Sequence, residues 1–348
     1  MKKLLVSIGL ICAGSGAFAQ DLHFSQILQS PNLLNPGAVG VYDGWERVAL
    51  HHRNQWLGGS TSFMSSGLNV DACLFKDMMR PQPHLAIGLQ FYNDIGGLSK
   101  FGTQNAAMTI SGILPMGNGH QLSAGIQTGM GMRKGDMSQL TFDSQWNGTG
   151  YDPNIVSGEV NGLNSFNYFD ASAGLFYQFD GDNSGFARNN DVKFQFGLAA
   201  YHANAPMMKY RTGSGERLER KYVAMANYTM DIPQTKFSFD VQAVQFVQGG
   251  HYETIFGGVL KRRFSEGSKQ TGFKRDASIG LGCYARMKDA IIPTMQIEYK
   301  GFKFGVSYDG TLSALRRSPG IGSLEFSLSY VNQHHAIFKA RRGGGLKY

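Results

Sequence analysis

Phe302-Lys303-Phe304-Gly305-Val306-Ser307-Tyr308-Asp309 alternates without a break. Phe302, Phe304, Val306 and Tyr308 fall on one face of an extended chain and Lys303, Gly305, Ser307 and Asp309 on the other, because successive side chains of a strand point to opposite sides. The same period recurs in Leu85/Ile87/Leu89/Phe91, Leu122/Ala124/Ile126/Thr128/Met130, Val192/Phe194/Phe196/Leu198/Ala200, Ile279/Leu281/Cys283 and Leu324/Phe326/Leu328/Tyr330. Their opposite faces carry Gln90, Ser123, Gln127, Lys193, Gln195, Arg286, Glu325 and Ser327. The chain therefore reads as all-β. Such strands turn their oily side to a second sheet in a sandwich and to lipid in a barrel, so alternation alone separates neither. Segments of about ten residues, their number, and aromatics near strand ends (Tyr92, Phe179, Tyr201, Tyr299, Tyr330) favour a transmembrane antiparallel β-barrel.

Strands are expected at residues 46–56, 61–73, 84–93, 103–114, 120–133, 167–180, 191–203, 219–230, 235–246, 252–264, 276–287, 291–300, 302–310 and 322–332, about 14 in all. An even count returns both chain ends to one side, periplasmic in bacterial single-chain barrels, and places the long connection 134–164 outside. Gly117-Asn118-Gly119 and Gly301 read as tight turns. Glycines inside strands, among them Gly125, Gly129, Gly197, Gly257 and Gly280, fit curvature or close packing against lumen contents.

Composition narrows the class further. Of 348 residues only 17 % are charged, against roughly 25 % in an average soluble domain. The 24 Phe, 15 Tyr and 3 Trp exclude disorder. Beyond the first twenty residues, no apolar run approaches the roughly 20 residues of a spanning helix. The net charge of +8 is dispersed except at Lys261-Arg262-Arg263 and in the tail, which argues against a nucleic-acid partner.

At the start, Met1-Lys2-Lys3, the apolar stretch Leu4 to Ile11 and Ala17-Phe18-Ala19 spell a cleavable signal peptide over residues 1–19. Ile11 before Cys12 disfavours a lipoprotein site, which requires a small residue there. Residues 20–45 contain Pro31 and Pro36 and no period of two. Phe24, Leu28, Leu33 and Leu34 would expose apolar surface if the segment hung free, so a plug-like position in or below the lumen is expected. Cys73 and Cys283 lie in apolar stretches; a disulfide is chemically open to them, and two unpaired side chains is the simpler reading.

No catalytic group is expected. Gly-x-Ser-x-Gly is absent, and alternation aims His51 and His52 at opposite faces beside Ser62, Ser65 and Ser66. No metal or cofactor is expected either, since His334-His335 point apart in an extended chain and no H-x-x-x-H or C-x-x-C pattern accompanies His23. Asp309 and Glu325 should face the lumen, with Arg53, Arg133, Arg286 and Lys303 as candidate partners. They would form either a salt network holding the N-terminal segment or a docking pocket for a partner's segment. Residues 333–348 carry Lys339, Arg341, Arg342 and Lys347 without an acidic residue, a candidate basic periplasmic arm.

Gln20-Asp21-Leu22-His23-Phe24-Ser25-Gln26, Leu34-Asn35-Pro36, Arg53-Asn54-Gln55-Trp56, Asn93-Asp94-Ile95-Gly96-Gly97, Gly305-Val306-Ser307-Tyr308-Asp309 and Ser323-Leu324-Glu325-Phe326-Ser327-Leu328-Ser329-Tyr330 occur in this order. In that order and spacing the chain resembles the PorP/SprF family. The resemblance covers nearly the whole mature chain. It implies a non-enzymatic outer-membrane component of the type IX secretion and gliding apparatus, working with outer-membrane lipids and periplasmic lipoprotein and ring components. In some members it implies one cognate surface adhesin. A porin or transporter for small or hydrophobic solutes is the alternative reading of the barrel itself.

Overall fold

The structure, a computed structural model, describes residues 24–26, 29, 31–56, 63–77, 81–135, 140–158, 165–181, 192–209, 215–265, 277–312 and 322–332. The signal peptide, Leu28 and the tail from residue 333 lie outside the described residues, as do His23, Ser62 and the His334-His335 pair.

Fourteen antiparallel strands close into one barrel. They are β1 Glu46–Gln55, β2 Phe63–Leu74, β3 His84–Gly96, β4 Phe101–Gly117, β5 His120–Lys134, β6 Phe166–Asp180, β7 Val192–Tyr201, β8 Lys221–Asp231, β9 Phe237–Gln248, β10 His251–Ser265, β11 Ala277–Arg286, β12 Ala290–Tyr299, β13 Phe302–Thr311 and β14 Ser323–Asn332. Each pairs with its neighbour in sequence, and β14 returns to β1 with Leu328 opposite Leu50 and Glu325 opposite Arg53. Closure leaves no edge strand, which a sheet in lipid requires. Among the described residues no helix is long and apolar enough to cross a membrane.

The start of β1 and the end of β14 share one rim, here the terminal rim, with the Asn118-Gly119 turn. The opposite loop rim carries the connections 135–165 and 202–220. Connections do not sort strictly by length: Gly249-Gly250 is a tight turn at the loop rim, and 266–276 is a long connection at the terminal rim. Strand β4 also outruns the expected end at 114, passing Pro115 with a register shift before Gly117. An irregularity of this kind accommodates a residue that has no N–H for the ladder.

The oily face read from the sequence points outward. Leu89, Ile126 and Leu281 are 60 %, 64 % and 64 % exposed, and Phe304, Phe326 and Leu328 are exposed beside them. The inward face is not uniformly polar. Ile113, Phe176, Met225, Val244, Ile255, Val259 and Ile292 point inward and pack with Leu34, Ala38, Val39 and Val41 of the N-terminal segment into one buried apolar cluster. On β8 to β12 the inner face is therefore mixed, with apolar residues such as Val223, Val244 and Ile292 beside buried polar ones such as Asp240, Gln242 and Gln296, and its apolar part has a core to cover.

Candidate functional site

Four inward side chains from strand ends at the loop rim meet there. Arg53 lies two residues from the end of β1, Arg286 ends β11, Asp309 lies two residues from the end of β13, and Glu325 is the third residue of β14. Alternation brings all four to the lumen. Arg53 Nη2 stands 3.0 Å from Asp309 Oδ2, and Arg286 Nη2 stands 2.8 Å from the same oxygen. Arg286 Nη1 reaches Asp289 at 2.9 Å and its Nε lies 3.6 Å from Glu253.

Phe24, Ser25 and Gln26 sit on this group. Glu325 accepts the Ser25 N–H at Oε2 (2.7 Å) and the Gln26 N–H at Oε1 (2.8 Å). The Ser25 hydroxyl donates to Asp309 Oδ2 (2.7 Å) and accepts from Arg286 Nη2 (2.7 Å). Gln26 Nε2 donates to the Glu325 carbonyl (3.0 Å), while its Oε1 accepts from Ser327 Oγ (2.6 Å). Gly305 makes room for that amide, since a Cβ there would lie 2.2 Å from Gln26 Oε1. The Phe24 ring lies 5.1 Å from the His51 ring. Glu325 and Ser25 are fully buried, so each of these polar atoms depends on its partner.

From there the chain descends the lumen toward the terminal rim. Tyr201 donates its hydroxyl to the Leu33 carbonyl (3.1 Å), and Asn35 Nδ2 donates to the carbonyls of Leu175 (2.8 Å) and Leu198 (3.2 Å). The Asn35 side chain also caps the short 3-10 turn Pro36–Ala38 by accepting from Gly37 N–H. Ser123 Oγ donates to the Gly37 carbonyl and Ser111 Oγ to the Val39 carbonyl. The wall is glycine here because backbone lies against it: Cβ atoms at Gly125 and Gly174 would meet Pro36 O at 2.2 Å and Asn35 Oδ1 at 2.0 Å.

Near the terminal rim Asp71 pairs with Arg47 through both oxygens (2.9 and 2.8 Å) and accepts the Gly40 N–H (3.0 Å). Arg47 lies over the Tyr42 ring, 4.5 Å from its centroid. Burial, and then the Asp71 carboxylate, push the Tyr42 phenol above its ordinary range, so Tyr42 is a neutral donor, here toward the Asp71 carbonyl (2.9 Å).

Of the residues singled out from sequence, Arg53, Arg286, Asp309 and Glu325 come together. Lys303 instead pairs with Glu298 (3.4 Å), beside Lys261, and Arg133 stands on β5. His51 and His52 face opposite sides, as alternation requires. His52 Nδ1 lies 2.9 Å from Ser66 Oγ on the outside, and Ser65 donates to Asp94 within. Cys73 is buried and Cys283 exposed, and both are free. Sequence reasoning did not single out Ser25, Gln26, Glu253, Asp289 or the Arg47–Asp71 pair. The Leu34-Asn35-Pro36-Gly37 run, next to strand glycines, was the one available signal for the lower contacts.

A family model described as "Type IX secretion system membrane protein PorP/SprF" matches residues 16–330. No curated protein sequence matches the chain. Among solved structures, the TodX monoaromatic hydrocarbon channel deltaS2 mutant aligns at 10 % identity over 88 % of this chain and 94 % of its own, with a TM-score of 0.44. BamA from Haemophilus ducreyi lacking POTRA domains 1–3 aligns at 8 % identity over 82 % and 70 %, TM-score 0.41. The beta domain of the Bordetella autotransporter BrkA aligns at 9 % identity over 83 % and 99 %, TM-score 0.36.

Proposed function

This chain belongs to the PorP/SprF family of type IX secretion system membrane proteins, and from that premise we propose that it serves as a non-enzymatic outer-membrane scaffold whose bore its own N-terminal segment closes. It supports export or surface anchoring of cargo by holding periplasmic lipoprotein and ring components at its terminal rim. The observation that carries this reading is the hydrogen-bonded course of the segment through the lumen, from Glu325 to Asp71. An open porin needs a free polar bore, and an apolar cluster shared by segment and wall occupies part of this one.

Single-channel recording of the purified full-length protein tests the closed bore. No steady conductance is expected, and steady large conductance would establish the porin reading instead. The basic tail supplies the second contact of the proposal. Lys339, Arg341, Arg342 and Lys347 would meet acidic patches of periplasmic components, an attraction screened over about 8–10 Å at physiological salt. Deleting Ala340 to Tyr348 should leave the barrel assembled and lower recovery of those components in a pull-down, most at low ionic strength. Unchanged recovery at low salt would remove the tail from the proposal.

A further inference from the structure

We propose that the loop-rim cradle of Arg53, Arg286, Asp309, Glu325 and Ser327 is a peptide-binding site for an extended segment of aromatic-Ser-Gln order presented by another polypeptide, with the chain's own Phe24-Ser25-Gln26 as its resting occupant. The inference rests on the proposed lumenal role of the N-terminal segment and assigns that segment's upper part a separable task.

Recognition in the cradle reads sequence as well as backbone. Two successive N–H groups close on one carboxylate, the arrangement by which a backbone nest holds an anionic group. The serine hydroxyl is held at both its donor and acceptor sides by Asp309 and Arg286. The glutamine amide is likewise read at both ends, by the Glu325 carbonyl and Ser327. Gly305 supplies the space that a larger residue would close, and His51 offers its ring to the aromatic side chain.

Three further features make the occupant exchangeable. Phe24, Ser25 and Gln26 contribute no charge, whereas the ion pairs Arg53–Asp309, Arg286–Asp309 and Arg286–Asp289 are made by the barrel alone. Departure of the segment therefore strips Arg53, Arg286 and Asp309 of no counter-ion, the loss that makes broken buried pairs costly, and the two N–H bonds that Glu325 gives up are the ones an incoming segment restores. The cradle also has unused capacity: Asp309 Oδ1 and Ser307 Oγ are buried and have no hydrogen-bond partner among the described residues. Finally, the anchor lies elsewhere. Residues 35–41 are fixed against Gly125, Gly174, Ser111 and Asp71, so the upper part can leave while the lower part stays.

The test uses a fluorescent synthetic peptide of the sequence Asp21 to Pro31 and fluorescence anisotropy on full-length protein in detergent. In wild type the tethered occupant competes at millimolar effective concentration. A full-length Ser25→Gly/Gln26→Gly variant, whose occupant lacks both recognised side chains, should bind the peptide saturably and about tenfold or more tighter than wild type does, the equivalent of one lost hydrogen bond or more. A scrambled peptide should not bind. Adding Gly305→Ala, which leaves the charged groups in place, should weaken binding by about tenfold or more for the same reason. Absence of saturable binding to the double variant, equal binding of the scrambled peptide, or indifference to Gly305→Ala would each overturn the proposal. Conductance recorded in parallel separates the two readings: a closed wild type whose double variant binds no peptide defeats the cradle alone, and an open wild type whose double variant binds the peptide defeats the closed bore alone.

Discussion

Glu325 and Phe326 are neighbours in the chain and face opposite media, one fully buried in the lumen and the other 39 % exposed on the outer face. An arginine at Phe326 would stand in hydrocarbon at a cost of roughly 2–4 kcal/mol near the midplane. Phe326→Arg should therefore reduce outer-membrane yield and heat-modifiable folded barrel on gels, while Glu325→Gln should assemble; equal assembly would contradict the facing. Gly174→Val tests the lower contacts, since even the first added carbon would meet Asn35 Oδ1 at 2.0 Å. Losing the two Asn35 bonds to strand carbonyls should cost about 1–3 kcal/mol, read as a lower urea midpoint. At this scale Glu325, Asp309, Arg53 and Arg286 were legible because each belongs to an alternating run. Ser25 and Gln26 appeared only within the Gln20–Gln26 run that carries the family resemblance, because in an aperiodic segment no spacing marks which residues make the contacts.

Strands were legible wherever one face is polar, and less so where it is not. On β8 and β9, Val223, Met225, Val244 and Phe246 face inward while Tyr222 and Val241 face out, so the period of two fades and length and turn residues have to identify the strand. What the alternation concealed is that an apolar inner face predicts lumen contents. Pro115 lies one residue beyond the expected end of β4, and the strand carries it with a register shift before Gly117, whereas Pro293 sits inside β12, within the stretch 291–300 read as a strand. Between elements, the Arg47–Asp71 pair ties β1 to β2 and both to Gly40. Asp71→Ala would leave Arg47 buried without its counter-ion, a loss of about 3–5 kcal/mol. In urea titrations of protein refolded into lipid vesicles, the single variant should fall well below Arg47→Met/Asp71→Leu, in which both charges are gone. If the double variant is no more stable than the single one, the cost lies in Asp71's bond to Gly40 and not in the stranded cation.

For the molecule as a whole, barrel and N-terminal segment form one packed unit. A barrel of fourteen strands is wide enough to hold a bore, and here Leu34, Ala38, Val39 and Val41 fill part of it against Ile113, Phe176 and Val244. Burying each larger apolar side chain contributes roughly 1.5–3 kcal/mol, and the hydrogen bonds from Asn35, Ser111, Ser123 and Asp71 hold the backbone that carries them. The strand ladders do not depend on the segment, since each wall strand is paired on both sides by other wall strands. Removing Gln20 to Val41 should therefore leave a barrel that still inserts and still shows heat-modifiable mobility. It should unfold at lower urea and conduct steadily, because water replaces the segment along the polar part of the wall and the uncovered apolar part no longer packs. The same protein with Gly174→Val, in which the segment is present and its seat is spoiled, should lose stability in the same direction and by less. A truncated barrel that inserts and remains silent in single-channel recording would mean that closure comes from the connections at the loop rim, and a truncation that fails to insert at all would mean that the segment is needed to build the barrel as well as to fill it.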